Sequence, residues 1–293
     1  MAVPIGAPGS VLGVVKLAAT GRRPRFEASD IALMREITAR VDVAVSHALR
    51  MQRTTEVALA LQRGLLSDPP QVPGIDIRVR YRPAGPGLEV GGDWYDAFIP
   101  PDGGLTVTVG DVVGHDLYAA STMGQLRSMV QALACQPGAE PAAVLTGLNR
   151  LSSHLRVGDL STIVHGRLRL SPRATMATFT WANAGHPAPL LLGPDASVTV
   201  LDNASSPLLG LTRGEYRQAS VTVPAGATLL LYTDGLMEDP AHPSPDAIES
   251  LAALAQAHGH AVLDELCDTL IAAASPRDDI ALLAARVRHP DEG

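Results

Sequence analysis

Aromatic residues are scarce in this 293-residue chain, at 3% of the total, so its core has to be built from Ala, Val, Leu and Ile. Cysteine is nearly absent, with Cys135 and Cys267 the only two. Two isolated thiols argue against a disulfide scaffold and suit a reducing compartment, and each reads as a small buried hydrophobe. Lysine is reduced to Lys16, and the net charge of −7 leaves no basic footprint for nucleic acid. No run approaches the roughly 18 consecutive apolar residues of a membrane span. The N-terminus lacks a charged segment followed by an apolar one, so no signal peptide is expected and the chain reads as cytoplasmic. What is present, 46% hydrophobic and 18% charged residues, is the composition of a globular protein.

The chain divides into three parts. Residues 1–28 hold a short strand-like piece, Val11 to Leu17, and the turn GRRPRF. That is too little for a domain and is expected to be the end of something larger. Ser29 and Asp30 are suitable N-caps for a long helix over 29–66. Along it Met34, Ile37, Val41, Ala44, Ala48, Met51, Thr55, Ala58, Gln62 and Leu65 recur at alternating steps of three and four. This heptad pattern suits a parallel coiled coil, and hence a homodimer through 29–66; a single amphipathic helix packed on its own domain also fits.

The linker SDPPQVPG opens the third part, 67–293. Strands are expected at Ile75 to Arg82, Trp94 to Ile99 and Leu105 to Val109, the last two joined by the hairpin turn PPDGG. Helices follow at Leu117 to Ala134 and Pro141 to Leu155. A second block of strands begins at Ser161 and runs through Tyr232, then two helices between about Pro245 and Ala273, then a strand from Ile280 to Val287. Strands in two blocks with helices between and after imply an α+β fold of two antiparallel sheets flanked by helices.

Four aspartates stand in turn-like motifs at the ends of these strands: Asp93 in EVGGDWYD, Asp111 in VGDVVGH, Asp234 in LLLYTDG and Asp278 in PRDDIALL. Taken singly, each has an ordinary structural explanation; Asp-Gly, for example, is a routine turn pair. Together, acids at strand ends can converge once the strands pair. Carboxylates without Cys or His partners suit hard, oxygen-seeking cations such as Mg²⁺ or Mn²⁺. The Val112 carbonyl beside Asp111 would complete a common hard-metal arrangement. Adjacent acids entering an apolar strand, as at Asp278 and Asp279, are costly to bury unless a cation pairs with them. Such a set can hold two divalent ions about 3.5–4 Å apart, with a bridging water activated for attack on a phosphate ester. His115 reads either as a proton donor to the leaving group or as a hydrogen-bonded loop residue.

At these residues the chain resembles the metal-dependent (type 2C) protein serine/threonine phosphatases, and within them the SpoIIE/RsbU-like branch. GGDWYD, GDVVGH, NAGHPAPLL (Asn183 to Leu191), YTDG and RDDI stand in the order and approximate spacing of that branch, over about residues 55–288. The resemblance implies an α-β-β-α sandwich with two Mn²⁺ or Mg²⁺ ions at one edge of the sheets. It carries the metal ligands to Asp93, Asp111, the Val112 carbonyl, Asp234 and Asp278, and the general acid to His115. Asp279 matches a neighbouring polar position, and His186 is expected to shape its loop. Ala281 departs from the Thr or Ser usual after the acidic pair. The implied substrate is a phosphorylated STAS-domain anti-anti-sigma protein in a partner-switching pathway. Residues 1–50 resemble the last strand and helix of a GAF sensor domain. A catalytically silent scaffold of the same fold is the competing expectation, and four intact acids argue against it. A metal-dependent nuclease would also use carboxylates, but the acidic charge balance and the lack of a Gly-rich phosphate loop give it no support.

Overall fold

The computed structural model describes residues 1–7, 9–20, 26–66, 68–83, 91–114, 117–158, 160–171, 176–212, 214–237, 246–275 and 278–289, with backbone alone at 7 and 54–65. Contacts divide the chain into two units, residues 1–57 and 58–293.

In the first unit β1 (Ala2–Ala7) pairs antiparallel with β2 (Ser10–Lys16), and helix α1 (Ala28–Leu65) follows. β1 escapes sequence reasoning because Pro4 and Gly6 are poor strand formers. Ser29 and Asp30 lie inside the first helical turn rather than capping it. The Asp30 carboxylate instead reaches back to accept a hydrogen bond from the Glu27 N–H at 3.0 Å, half of a capping box. On the expected heptad seam Met34 is half-buried, while Ile37, Val41 and Met51 are exposed. The side chains of Thr55, Ala58, Gln62 and Leu65 lie outside the described residues.

The second unit is four-layered. One sheet runs in the order β4 (Trp94–Phe98), β5 (Leu105–Asp111), β6 (Thr162–Leu170), β7 (Met176–Ala184). β7 also pairs with β11 (Gln218–Pro224) and, in parallel over two residues, with β10 (Ser205–Ser206). The other sheet runs β3 (Ile75–Arg82), β13 (Ile280–Val287), β12 (Thr228–Tyr232), β8 (Leu190–Leu192), β9 (Val198–Val200), all antiparallel.

The two-residue period of the strands sorts side chains between layers. Leu105, Val107 and Val109 of β5 enter the core between the sheets, with Leu229 and Leu231 of β12 and Ala281, Leu283, Ala285 and Val287 of β13. Leu230, Tyr232, Ile280 and Leu282 face the other way and pack with Leu251, Leu263, Leu266 and Leu270 of α4 (Ala247–Ala257) and α5 (Leu263–Ala273). Trp94, Ile163, Ala182 and Ala184 pack with Met123, Leu126, Val144 and Leu148 of α2 (Leu117–Ala134) and α3 (Pro141–Leu155). Phe179 and Trp181 stack in the central core with centroids 5.3 Å apart. Cys267 is buried as expected, whereas Cys135 is exposed, one residue beyond α2.

A buried ion pair holds α2 to its sheet. Asp96 of β4 is 1% exposed and accepts from Arg127 Nη2 at 3.0 Å and Gln131 Nε2 at 2.8 Å. Removing one partner leaves a buried charge uncompensated. Arg127→Met is therefore expected to lower unfolding free energy by about 3 kcal/mol or more, measured by urea denaturation.

Candidate metal centre

The acid motifs meet because of strand register. Asp111 is the last residue of β5 and lies opposite Thr162, the first of β6. Asp93 directly precedes β4, whose first residue, Trp94, pairs with Gly110. Asp234 follows β12 by two residues, and Asp278 precedes β13 by two. These two strands pair antiparallel with Tyr232 opposite Leu282, so their acid-bearing ends coincide. One carboxylate oxygen from each of Asp93, Asp111 and Asp234 lies within 4.8 Å of the other two.

Glycines make this convergence possible. A Cβ on Gly91 would stand 1.5 Å from Asp279 Oδ2, and one on Gly92 would stand 1.9 Å from the Val112 carbonyl oxygen and 3.0 Å from Asp111 Oδ1. One on Gly235 would meet the Asp279 carbonyl oxygen at 2.1 Å. GGD is thus packed on the backbone of GDV and TDG on the backbone of DD, while Gly91 makes room for the Asp279 side chain. Thr233 joins two of them: its N–H donates to the Ala281 carbonyl at 3.0 Å and its hydroxyl accepts from the Ala281 N–H at 2.9 Å.

The site is electrostatically loaded. Burial, then the charge of Asp111, raises the Asp93 pKa well above the ordinary 3.8, and a hydrogen bond from the Thr233 hydroxyl offsets part of this. Burial, then Asp234, pushes Asp111 up to about 6. Asp93 is 4% exposed, and its Oδ2 has no hydrogen-bond partner among the described residues. A buried carboxylate oxygen without a donor, facing two more carboxylates, is an arrangement that a divalent cation satisfies. All-oxygen donors fit Mg²⁺ or Mn²⁺.

Of the residues expected from sequence, Asp93, Asp111 and Asp234 form this tight group, and Val112 adjoins it against Gly92. Asp278 is outside the 4.8 Å group but near enough for its charge to raise Asp111. Its Oδ1 accepts from the Asp279 N–H at 2.9 Å. Asp279, given a lesser part by sequence, is the more buried of the two at 5% exposure and acts on both Asp93 and Asp111. His115 lies outside the described residues. Sequence reasoning missed Thr233 and Thr162. Thr233 stood inside the YTDG motif; Thr162 carries no sequence signal, because only strand pairing sets it beside Asp111.

Comparison with known proteins places the fold and the family. The chain is 27% identical over 192 residues to "Phosphoserine phosphatase RsbP" of Bacillus subtilis (strain 168), a match covering 65% of this chain and 46% of that protein. The chain therefore spans about half the length of that curated relative. The crystal structure of the RsbU and RsbW domains of Rv1364c from Mycobacterium tuberculosis superposes with a TM-score of 0.67 at 33% identity, over 76% of this chain and 62% of that one. The SiaA PP2C domain of Pseudomonas aeruginosa shares the fold, with a TM-score of 0.64 at 20% identity over 83% of this chain and 99% of that one. The model of the family Stage II sporulation protein E matches residues 101–288, a span that contains Asp111, the Asn183–Leu191 loop, Asp234 and both acids of the RDDI motif. That match runs over well more than half of the sequence, through the strands that converge on the carboxylates, and the chain belongs to the SpoIIE family.

Proposed function

We propose that this protein is a metal-dependent protein serine/threonine phosphatase. The observation that carries the reading is the group of three carboxylates at one sheet edge, with a buried Asp93 oxygen that has no donor among the described residues, in a chain of the SpoIIE family. The name phosphoserine phosphatase borne by the RsbP relative supports the same activity. Asp93, Asp111, the Val112 carbonyl, Asp234 and Asp278 would hold two Mn²⁺ or Mg²⁺ ions. Bound ions of this kind supply a water that is nucleophilic at neutral pH and neutralise the phosphate oxygens. The chain's own part is to bring the acids together, to bury Asp93 and Asp279 away from bulk water, and to offer His115 as proton donor to the departing serine or threonine oxygen. The proposed substrate is the phosphorylated STAS-domain anti-anti-sigma protein that the family resemblance implies. The Mycobacterium structure, in which an RsbU domain accompanies an RsbW domain, supports a partner-switching setting. A homodimer through helix α1 belongs to the same proposal, supported by the exposed Ile37, Val41 and Met51.

Turnover of p-nitrophenyl phosphate with and without Mn²⁺, beside an Asp111→Asn/Asp234→Asn double variant, tests the activity. Mn²⁺-dependent hydrolysis lost in the variant is the expected result; hydrolysis that ignores both metal and variant would refute it. The raised Asp111 pKa adds a pH signature. Protons compete with the cation below about pH 6. The Mn²⁺ concentration for half-maximal activity is expected to climb as pH falls through that value.

A further inference from the structure

His186 stands in the loop after β7 and is 6% exposed. Its backbone is clamped by Asn183, whose Oδ1 accepts from the His186 N–H at 2.8 Å and whose Nδ2 donates to the His186 carbonyl at 2.8 Å. The imidazole is engaged at both nitrogens. Nε2 lies 3.1 Å from the Tyr232 carbonyl oxygen. A carbonyl only accepts, so Nε2 carries the proton. Nδ1, 2.8 Å from Thr162 Oγ1, then accepts from that hydroxyl. With both ring positions used, no lone pair remains for a metal and no proton for acid–base work.

The two ring partners belong to different sheets. Thr162 opens β6 and is the register partner of Asp111. Tyr232 ends β12, two residues before Asp234, and its hydroxyl donates to the Ala188 carbonyl of the same loop at 3.0 Å. The ring therefore spans from the strand that flanks one acid to the strand that leads into another. The acids have reason to separate, since their oxygens crowd within 4.8 Å and like charges repel. Burial holds the imidazole pKa near 3, so the tie keeps one tautomer at working pH.

We propose that His186 is a positioning residue that fixes the separation of Asp111 and Asp234 by tying the ends of the two sheets through Thr162 and Tyr232. This rests on the metal-centre reading above. Without the tie the strand ends relax apart, and cation binding has to draw them back. The deficit then falls on metal affinity and not on turnover once metal is bound.

The test is calorimetric titration of Mn²⁺ into wild type, Thr162→Val, His186→Ala and His186→Gln, with p-nitrophenyl phosphate kinetics at saturating Mn²⁺. Thr162→Val and His186→Ala are expected to weaken Mn²⁺ binding about 10-fold or more, with kcat and KM at saturating metal within about threefold of wild type. Glutamine keeps an amide donor for the Tyr232 carbonyl and is expected to recover part of the affinity. Should His186→Ala not fold, the isosteric Thr162→Val decides. Wild-type affinity in the variants would overturn the positioning role. Loss of kcat at saturating metal with unchanged affinity would overturn it too, by placing His186 in the chemistry. A wild type that takes up no Mn²⁺ would instead overturn the metal centre, and the proposal with it.

Discussion

Asp111→Asn is expected to lower Mn²⁺-dependent turnover by roughly 100-fold or more while making the metal-free protein more stable at pH 7. The two effects have one cause. Asp111 is half-buried among Asp93, Asp234, Asp278 and Asp279, and its pKa is pushed up to about 6 from an ordinary 3.8. Because the folded-state value is the higher one, the folded chain binds the proton more tightly. Stability then falls as pH rises from about 4 through 6. The difference is on the order of 3 kcal/mol at pH 7 and near zero at pH 4. Asparagine removes it. The buried His165 and His186, both held near 3, pull total stability the other way below about pH 6.5. They do so in both proteins, so only the difference between variant and wild type isolates the carboxylate. Urea unfolding in chelator at pH 4 and pH 7 measures it. A variant less stable than wild type at pH 7 would mean that the ionised Asp111 carboxylate stabilises the metal-free fold, and would refute the crowding argument.

Gly92→Ala is expected to be nearly as damaging to activity, although it removes no ligand. The new methyl would fall 1.9 Å from the Val112 carbonyl oxygen, a backbone atom that cannot swing aside, and 3.0 Å from Asp111 Oδ1. Either the loop carrying Asp93 or the end of β5 must shift. A displacement of about 1 Å at reacting groups is worth on the order of 100-fold in rate. Overpacking adds a destabilisation of about 1–3 kcal/mol. Gly138→Ala serves as the control. Gly138 has a φ of +67° and nothing within 4 Å of the added carbon, so that variant carries backbone strain of about 1 kcal/mol and unchanged turnover. Equal turnover by Gly92→Ala and wild type would show that the packing of GGD on GDV does not set the site.

The parts of this arrangement that sequence shows are those written in periodicity and punctuation. Leu105 to Val109 alternates Val and Thr; its apolar residues lie between the sheets, and the strand extends to Asp111. The bounds expected for α2 and α3 hold to the residue. Three of the acids expected from sequence, Asp93, Asp111 and Asp234, lie together in the structure, and each sits beside a glycine or an apolar strand end. What sequence could not supply was pairing. Thr162 meets Asp111 only through the β5–β6 register, and His186 meets Tyr232 only because two sheets stack. The deeper burial of Asp279 depends on Gly91 having no side chain where Asp279 packs. Ala281, a departure from the family pattern, loses nothing at the backbone: its N–H and carbonyl both bond Thr233, and its methyl fills the inter-sheet core.

The most direct measurement is anomalous X-ray diffraction from crystals grown in saturating Mn²⁺. The expected result is anomalous density enclosed by Asp93, Asp111 and Asp234, absent from crystals of Asp111→Asn. Well-ordered wild-type crystals in which those carboxylates enclose no Mn²⁺, or the same density persisting in the variant, would contradict the account.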